Sequence, residues 1–397
     1  KSGCSPTPAS ADAQCILPEI VEQLRARHAL TLCVIGLLCV GVLIVESAAS
    51  NIASADADDP WRWTPTGTRH ALLAATALLC YWVGTRLEPT KLLGKLAPLA
   101  FVAAVVGCVV VLVPGVGISV NGARRWLPLG PVQVQASELA KWATPLLLAW
   151  WCARPNGLAT FRSFVMACVP VAVVCGLVAI QDLGTAVLIA AVAGAVLLVA
   201  GAKLWHLGLC ILPAAAMGTY FVIAAPYRIA RLTSFRDPWA DAEGTGFHMV
   251  QALASYAHGG LTGTGLGRGV QKLGYLPEDT TDFVYATLCE ETGFFGAAVV
   301  VLLYLGVVSA SWKAVAHETI PAGPRLLALG IGLTVAMQAT MNLAVATVSM
   351  PTKGISLPMI SAGGSGLLLC GLALGILHAT LPESETDVAS RPQALPA

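Results

Sequence analysis

Ten stretches of this chain are apolar and almost free of charge, near residues 29–45, 70–85, 97–114, 138–153, 163–180, 184–202, 205–225, 283–310, 326–345 and 365–380. A helix needs about 20 apolar residues to cross a bilayer. In lipid every backbone N–H and C=O has to be satisfied within the protein, which leaves helices as the solution for runs of this length and glycine content. The expected fold is therefore all-α, a polytopic membrane bundle of about ten transmembrane helices over residues 29–380, with polar tails at 1–28 and 381–397. The 397 residues are 56% hydrophobic and 11% charged, whereas a soluble domain carries about 25% charge. That excludes a soluble enzyme, a nucleic-acid binder and a disordered scaffold. A net charge of +1 calls for no polyanionic partner.

The run at 29–45 precedes small residues that imitate a signal-peptidase site, but its length and the polar segment before it predict a retained first span. Basic residues set the orientation. An inward amino terminus places Arg25, Arg27, Arg86, Lys91, Lys95, Arg154, Arg162, Lys203, Lys313 and Arg325 on the cytoplasmic side, and ten spans then put both termini there. Ten of the 12 cysteines lie in or beside apolar stretches, where cysteine behaves as a small hydrophobe. Without C-x-x-C or H-x-x-x-H spacing, no metal site is indicated.

Four polar segments face outward in this topology. One spans about 115–137 and carries Asn121, Arg124 and Arg125; the second is the Gln181-Asp182 corner. The third is a large extracytoplasmic loop at 226–282, between spans seven and eight, and the fourth runs from Thr347 to Gly364 with Lys353. In the third, Phe247, Met249, Val250, Leu253 and Tyr256 recur at helical spacing, which predicts a short helix on the bilayer surface.

Asp282 stands where the eighth apolar run begins. It can be read as a helix N-cap or as a general base, since Glu278, Asp279 and Asp282 crowd together and mutual repulsion raises a carboxylate pKa. Glu290 and Glu291 follow inside the span, where a carboxylate is either functional or paired with a buried cation such as Lys141. Glu138 and Lys141, three residues apart on one helix, are expected to pair structurally. Arg124, Arg125, Arg228, Arg231, Arg236, Arg268 and Lys272 suit lipid headgroups, or together a phosphate-bearing ligand. Gly263, Gly265, Gly267 and Gly269 lack a βαβ setting and G-x-G-x-x-G spacing, so they predict flexible backbone beside a bulky ligand. The Gly363-Gly364-Ser365-Gly366 run permits close helix contact.

Taken in order, several stretches resemble the SEDS family (shape, elongation, division and sporulation). They are Asn121-Gly122-Ala123-Arg124-Arg125-Trp126, Gln135-Ala136-Ser137-Glu138 with Lys141, and Asp182-Leu183-Gly184-Thr185. Further on come Gln271-Lys272, Tyr275-Leu276-Pro277-Glu278 with Thr281-Asp282-Phe283, and Glu290-Glu291-Thr292-Gly293-Phe294. The last is Pro351-Thr352-Lys353-Gly354 through Leu357-Pro358 to Ser361 and Gly363-Gly364-Ser365. The chain looks more like the division member than the elongation member. It departs from the family pattern at Ala136, Gln181, His248, Ala252, Met359, Ala362 and Gly366.

The resemblance implies a peptidoglycan glycosyltransferase of the bacterial cytoplasmic membrane that joins lipid II units during cell division. Asp282 would be the base acting on the acceptor 4-hydroxyl, and undecaprenyl pyrophosphate the leaving group. Arg124, Arg125, Arg231, Lys272, Glu278, Lys353, Ser361 and Ser365 are the candidate substrate contacts. Glu138, Lys141, Asp182, Glu290 and Glu291 are the structural or intramembrane polar group. No cofactor is evident, although Mg or Mn would suit the pyrophosphate. A class B penicillin-binding transpeptidase and other divisome membrane proteins are the implied partners. The competing readings are a lipid II flippase, with Glu138, Lys141, Glu290 and Glu291 lining its path, and a non-catalytic divisome scaffold.

Overall fold

The computed structural model describes residues 8–50, 63–120, 123–129 and 132–382. Asn121, Gly122, the first seven residues and the tail beyond 382 lie outside these. Each of the ten apolar runs is helical. The helices are α1 (Pro8–Ala49), α2 (Pro65–Arg86), α3 (Pro89–Lys91) leading through a π-helical turn into α4 (Ala97–Val110), α5 (Ala136–Cys152), α6 (Phe161–Gln181), α7 (Leu183–Val199) and α8 (Leu204–Ile223). After two helices outside the apolar runs, α9 (Pro226–Arg236) and α10 (Phe247–Gly259), come α11 (Val284–Ala316), α12 (Ala322–Ala346) and α13 (Gly364–Thr380). Among the described residues six segments are long and apolar enough to cross a membrane, while α7 and α13 are shorter apolar helices. The chain is a multi-pass membrane protein.

Local chemistry sets the ends. The second run starts earlier than its apolar residues suggest, because Thr64 caps α2 by accepting a hydrogen bond from Gly67 N–H and Pro65 occupies the first turn. Asp182 closes α6 and opens α7, its carboxylate accepting from the backbone N–H of Thr185 at 3.1 Å and from the Thr185 hydroxyl at 2.9 Å.

Two parts of the outer structure differ from the sequence expectation. The 115–137 segment contains a three-stranded antiparallel sheet, β1 (Ile118–Val120), β2 (Ala123–Leu129) and β3 (Val132–Gln135), with Trp126 paired to Gln135 and Leu127 to Val134. The fold is thus helical with a small sheet at one end. The predicted amphipathic helix exists as α10, but its buried residues are Met249, Ala252, Ser255 and Gly259. Gly259 is pressed against the carbonyl of Cys289 on α11. That face packs on protein, so α10 is a buttress of α11.

Small residues permit the tightest helix contact. Along α2 and α13, Gly84 lies so close to Gly375 that an added Cβ would be 2.8 Å from the Gly375 Cα, and Gly371 abuts the carbonyl of Ala77. Helices in lipid associate through such close packing because no hydrophobic force separates them from the acyl chains. By contrast α8 buries little besides His206, which sits among Phe161, Phe164 and Trp205. Gly371→Val should force the α2–α13 backbones apart and cost about 1–3 kcal/mol. A lower midpoint of thermal unfolding in detergent checks this, and an unchanged midpoint would refute the close contact.

Candidate active site

Asp282 lies at the end of a tight turn built by Glu278. Glu278 has a φ of 58°, a left-handed conformation that a non-glycine residue holds only when its surroundings enforce it. Its carbonyl accepts hydrogen bonds from the N–H groups of Thr281 and Phe283, both at 3.1 Å. Its carboxylate accepts from the Thr281 hydroxyl at 2.7 Å. The N-cap of α11 is Phe283, with no capping side chain, so the capping alternative for Asp282 does not hold. Among the described residues its carboxylate has no hydrogen-bond or ion-pair partner.

That carboxylate sits among charges from four other places. A side chain built on Gly354 would lie 3.1 Å from Asp282 Oδ2 and 4.0 Å from Arg125 Nη1, so loop, acid and guanidinium meet there. Burial, then the negative charges of Glu278 and Asp182, push Asp282 up to about 7, while Arg125 and Arg231 pull the other way. Asp279 beside it is raised to about 6, chiefly by burial. A carboxylate with a pKa near neutrality can both hold and release a proton at working pH.

The cations are fixed by the fold. Arg125, on β2, donates from Nη2 to the carbonyl of Gln181 at 2.6 Å and pairs through Nη1 with Asp182 at 3.6 Å. The backbone N–H of Arg124 donates to Gln181 Oε1 at 3.1 Å, while its side chain is exposed. A small open crevice lies beside them, lined by Arg124, Arg125, Ser137, Gln181 and Asp182 among others. Arg231, on α9, reaches the carbonyl of Thr352 at 3.3 Å. Lys353 is half-buried beside Gly184 and Asp182, and burial lowers its pKa against the pull of Asp182. His248, on α10, stacks on Phe283 with ring centres 5.7 Å apart. Its pKa is lowered by burial and by Arg231, against Glu278.

Other candidates serve as braces. The Ser361 hydroxyl donates to the carbonyl of Thr281 at 2.6 Å and accepts from Leu357 N–H at 2.7 Å. Ser365 accepts from the N–H of Gln135 at 3.1 Å. Lys272, expected among the ligand-binding cations, is buried and donates to the carbonyls of Gly267 (2.8 Å) and Ser47 (3.1 Å). It also pairs with Glu291 at 3.4 Å. It belongs to the scaffold because the loop carrying it folds back onto α11.

The polar residues inside the bundle form two separate clusters. Lys141 pairs with Glu138 at 2.6 Å, as their spacing predicts, and donates to Gln338 Oε1 at 2.6 Å. The cation that serves Glu291 is Lys272, not Lys141. Glu291 also accepts from the Ser47 hydroxyl at 2.6 Å, and Glu290 accepts from the N–H groups of Val270 (3.0 Å) and Gln271 (3.2 Å).

The alternating glycines are rigid parts of this second cluster. Helix α11 breaks at Gly293, where φ is 66°, and residues 260–265 plug the break. Thr264 and Gly265 N–H groups donate to the freed carbonyls of Glu290 and Glu291, both at 3.0 Å. The Gly260 and Leu261 carbonyls accept from Phe294 and Phe295 N–H at 3.0 and 3.3 Å. Gly263, at φ 80°, abuts the Glu291 carbonyl, leaving no room for a side chain. Gly263 and Gly265 therefore help complete a helix, while the N–H groups of Gly267 and Gly269 donate to the Ser47 hydroxyl and the Glu291 carboxylate.

Two residues escaped the sequence reading. Gln338 Nε2 donates to the carbonyl of Ser356 at 2.8 Å. Asn342 Nδ2 donates to the carbonyls of Asp282 and Ile355 at 2.8 and 2.7 Å. Their signal was two amides four residues apart in an apolar helix, which lie on one face.

A multi-pass membrane bundle carrying an acid–guanidinium site at one end is the class that fold and geometry define. Residues 27–385 match the family model of the cell cycle proteins FtsW, RodA and SpoVE, and the chain belongs to that family. The probable peptidoglycan glycosyltransferase FtsW of Thioalkalivibrio sulfidiphilus is 38% identical over 376 residues, covering 90% of this chain and 91% of that protein. The protein of the same name from Halorhodospira halophila is 39% identical over 349 residues, 85% of this chain and 86% of its own. Among solved structures, the rod shape determining protein RodA of Thermus thermophilus superposes with a TM-score of 0.63 at 26% identity, over 88% of this chain and 95% of that one. A chain from a peptidoglycan synthase complex, described as coordinating polymerization and crosslinking, gives 0.70 at 28% identity, over 88% and 96%.

The assignment of Lys272 to the scaffold is open to direct measurement. Lys272→Met should leave Glu291 buried without its cation and destabilise the protein by about 3–5 kcal/mol, read as a fall in thermal midpoint. Unchanged stability with weaker substrate binding would return Lys272 to the ligand-binding cations.

Proposed function

We propose that this protein is a peptidoglycan glycosyltransferase that polymerises lipid II into glycan strands during cell division. The observation that carries the reading is the Asp282 carboxylate. It is half-buried, lacks a hydrogen-bond partner among the described residues, is poised near neutrality, and faces Arg125 and Arg231 at one end of the bundle. The names of the FtsW relatives supply the reaction class.

In this mechanism Asp282 accepts the proton of the 4-hydroxyl on the acceptor's N-acetylglucosamine. The resulting oxygen attacks C1 of the donor's N-acetylmuramic acid as the bond from C1 to the pyrophosphate oxygen breaks. The electron pair leaves with undecaprenyl pyrophosphate. Arg124, Arg125, Arg231 and Lys353 are the groups available to bind the phosphates and offset their growing charge. Apolar faces of the spans would hold the polyprenyl tail. Among the described residues no three His, Cys, Asp or Glu side chains stand together as a ligand set. These residues thus offer no such set for Mg or Mn, and the cations named above are the chain's own means of offsetting the leaving charge.

The site would face outward from the bacterial cytoplasmic membrane, with both termini inside. A class B penicillin-binding transpeptidase is the proposed partner, a reading supported by the likeness to a synthase complex chain. The four charges invoked for a flippase are committed to two closed clusters, which favours the enzyme.

Polymerisation of labelled lipid II by purified wild type and Asp282→Asn tests the reading. The base must be ionised to accept a proton, so the wild-type rate should rise with pH through about 7 and fall away below it. Asp282→Asn should make little or no product at any pH. Equal product from both proteins would sink the base assignment, and translocation across vesicles without product would support the flippase.

A further inference from the structure

The reaction assigned to Asp282 needs its carboxylate held at a fixed place, yet among the described residues nothing bonds to that carboxylate directly. The restraint comes from below, through the backbone. Helix α12 presents Gln338 and Asn342, both buried, one turn apart on one face. Lys141 donates to Gln338 Oε1, which turns the Gln338 amide nitrogen towards the carbonyl of Ser356. Asn342 uses both hydrogens of its amide nitrogen, one for the carbonyl of Asp282 and one for that of Ile355. The amide can take only this orientation. The reverse would set Oδ1 against two carbonyl oxygens, and Oδ1 in its present place is buried without a hydrogen-bond partner among the described residues.

We infer that Asn342 is a positioning residue for the Asp282 reaction: one amide group fixes the backbone of the base and that of the segment carrying Lys353 and Gly354 in a single register. The inference rests on the glycosyltransferase reading given above. Other bonds between these segments join Thr280 to Ala362 and Thr281 to Ser361; the one at Asp282 itself comes from Asn342. Misplacement of a reacting group by about 1 Å costs on the order of 10²-fold in rate, so a lost tether should affect turnover more than binding.

The groups facing Asp282 are Glu278 from its own turn, Asp182 from the head of α7, Arg125 from β2 and Arg231 from α9. Lys353 faces Asp182, and His248 stacks on the neighbouring Phe283. Without Asn342 the Asp282 backbone can relax towards water. Burial is the largest cause of its raised pKa, so the acid limb of the pH–rate profile should then move to lower pH.

The experiment is lipid II polymerisation by the purified full chain as wild type, Asn342→Leu, Asn342→Gln and Gln338→Leu, over a range of pH, with thermal unfolding alongside. Asn342→Leu keeps the shape and removes the donors. It should lower turnover on the order of 10²-fold, leave the dependence on lipid II concentration nearly unchanged, and shift the acid limb down. Asn342→Gln, with both donors on a longer arm, should recover part of the rate. Gln338→Leu, which loses the Ser356 bond and the one from Lys141 but keeps the Asn342 bond to Asp282, should leave the acid limb in place. Should Asn342→Leu not fold, the acid limb of Asn342→Ser decides the same question. Wild-type turnover in Asn342→Leu, or an activity loss matched by lost folded protein with an unmoved acid limb, would overturn the inference. An active Asp282→Asn would instead overturn the function on which it rests.

Discussion

The break in α11 is the point on which the outer structure depends. A helix interrupted inside an apolar bundle exposes two carbonyls and two N–H groups, and leaving them bare would cost several kcal/mol each. Residues 260–265 supply partners for all four. Once the loop is inserted there, its following residues are drawn over Glu290 and Glu291, and Lys272 is carried down to Glu291. The return of the chain through Glu278 then delivers Asp282 to the head of α11. The position of Asp282 is thus a consequence of backbone satisfaction some turns below it.

Charge within the bundle follows one rule in both clusters. Each buried carboxylate has a cation or several donors, and each buried lysine has a carboxylate plus carbonyl or amide acceptors. Such groups are tolerated only when paired and hydrogen-bonded. Asp282 is the exception, since it is half-buried among charges but bonded to none of them. That separates an acid available for chemistry from acids spent on structure.

Much of the frame was legible in the sequence because lipid leaves few alternatives. Uncharged runs had to be helices, although the caps that set their ends, such as Thr64 before α2, are clear only in the structure. The β1–β3 sheet was not legible, because strands of three, seven and four residues carry too little periodicity to stand out from a polar loop. Asp282 could be found from the crowding of three acids. Lys272 could not be told from Arg231, since both are cations in one long loop and only its insertion into α11 buries one of them. Gln338 and Asn342 do not stand out in the sequence, since their meaning depends on residues 282, 355 and 356, which meet them only in the folded chain.

The hydrogen bonds that tie Thr280, Thr281 and Asp282 to residues 342–362 also carry a consequence for biosynthesis. Asp282 is synthesised well before the chain that holds it in register. While α12 and the loop after it are still unmade, Asp282 has neither its tether nor Gly354 and Lys353 beside it. A nascent or prematurely terminated chain can therefore occupy the membrane with its acid in place and still have no assembled site, which is complete only once residues 342–362 have been made.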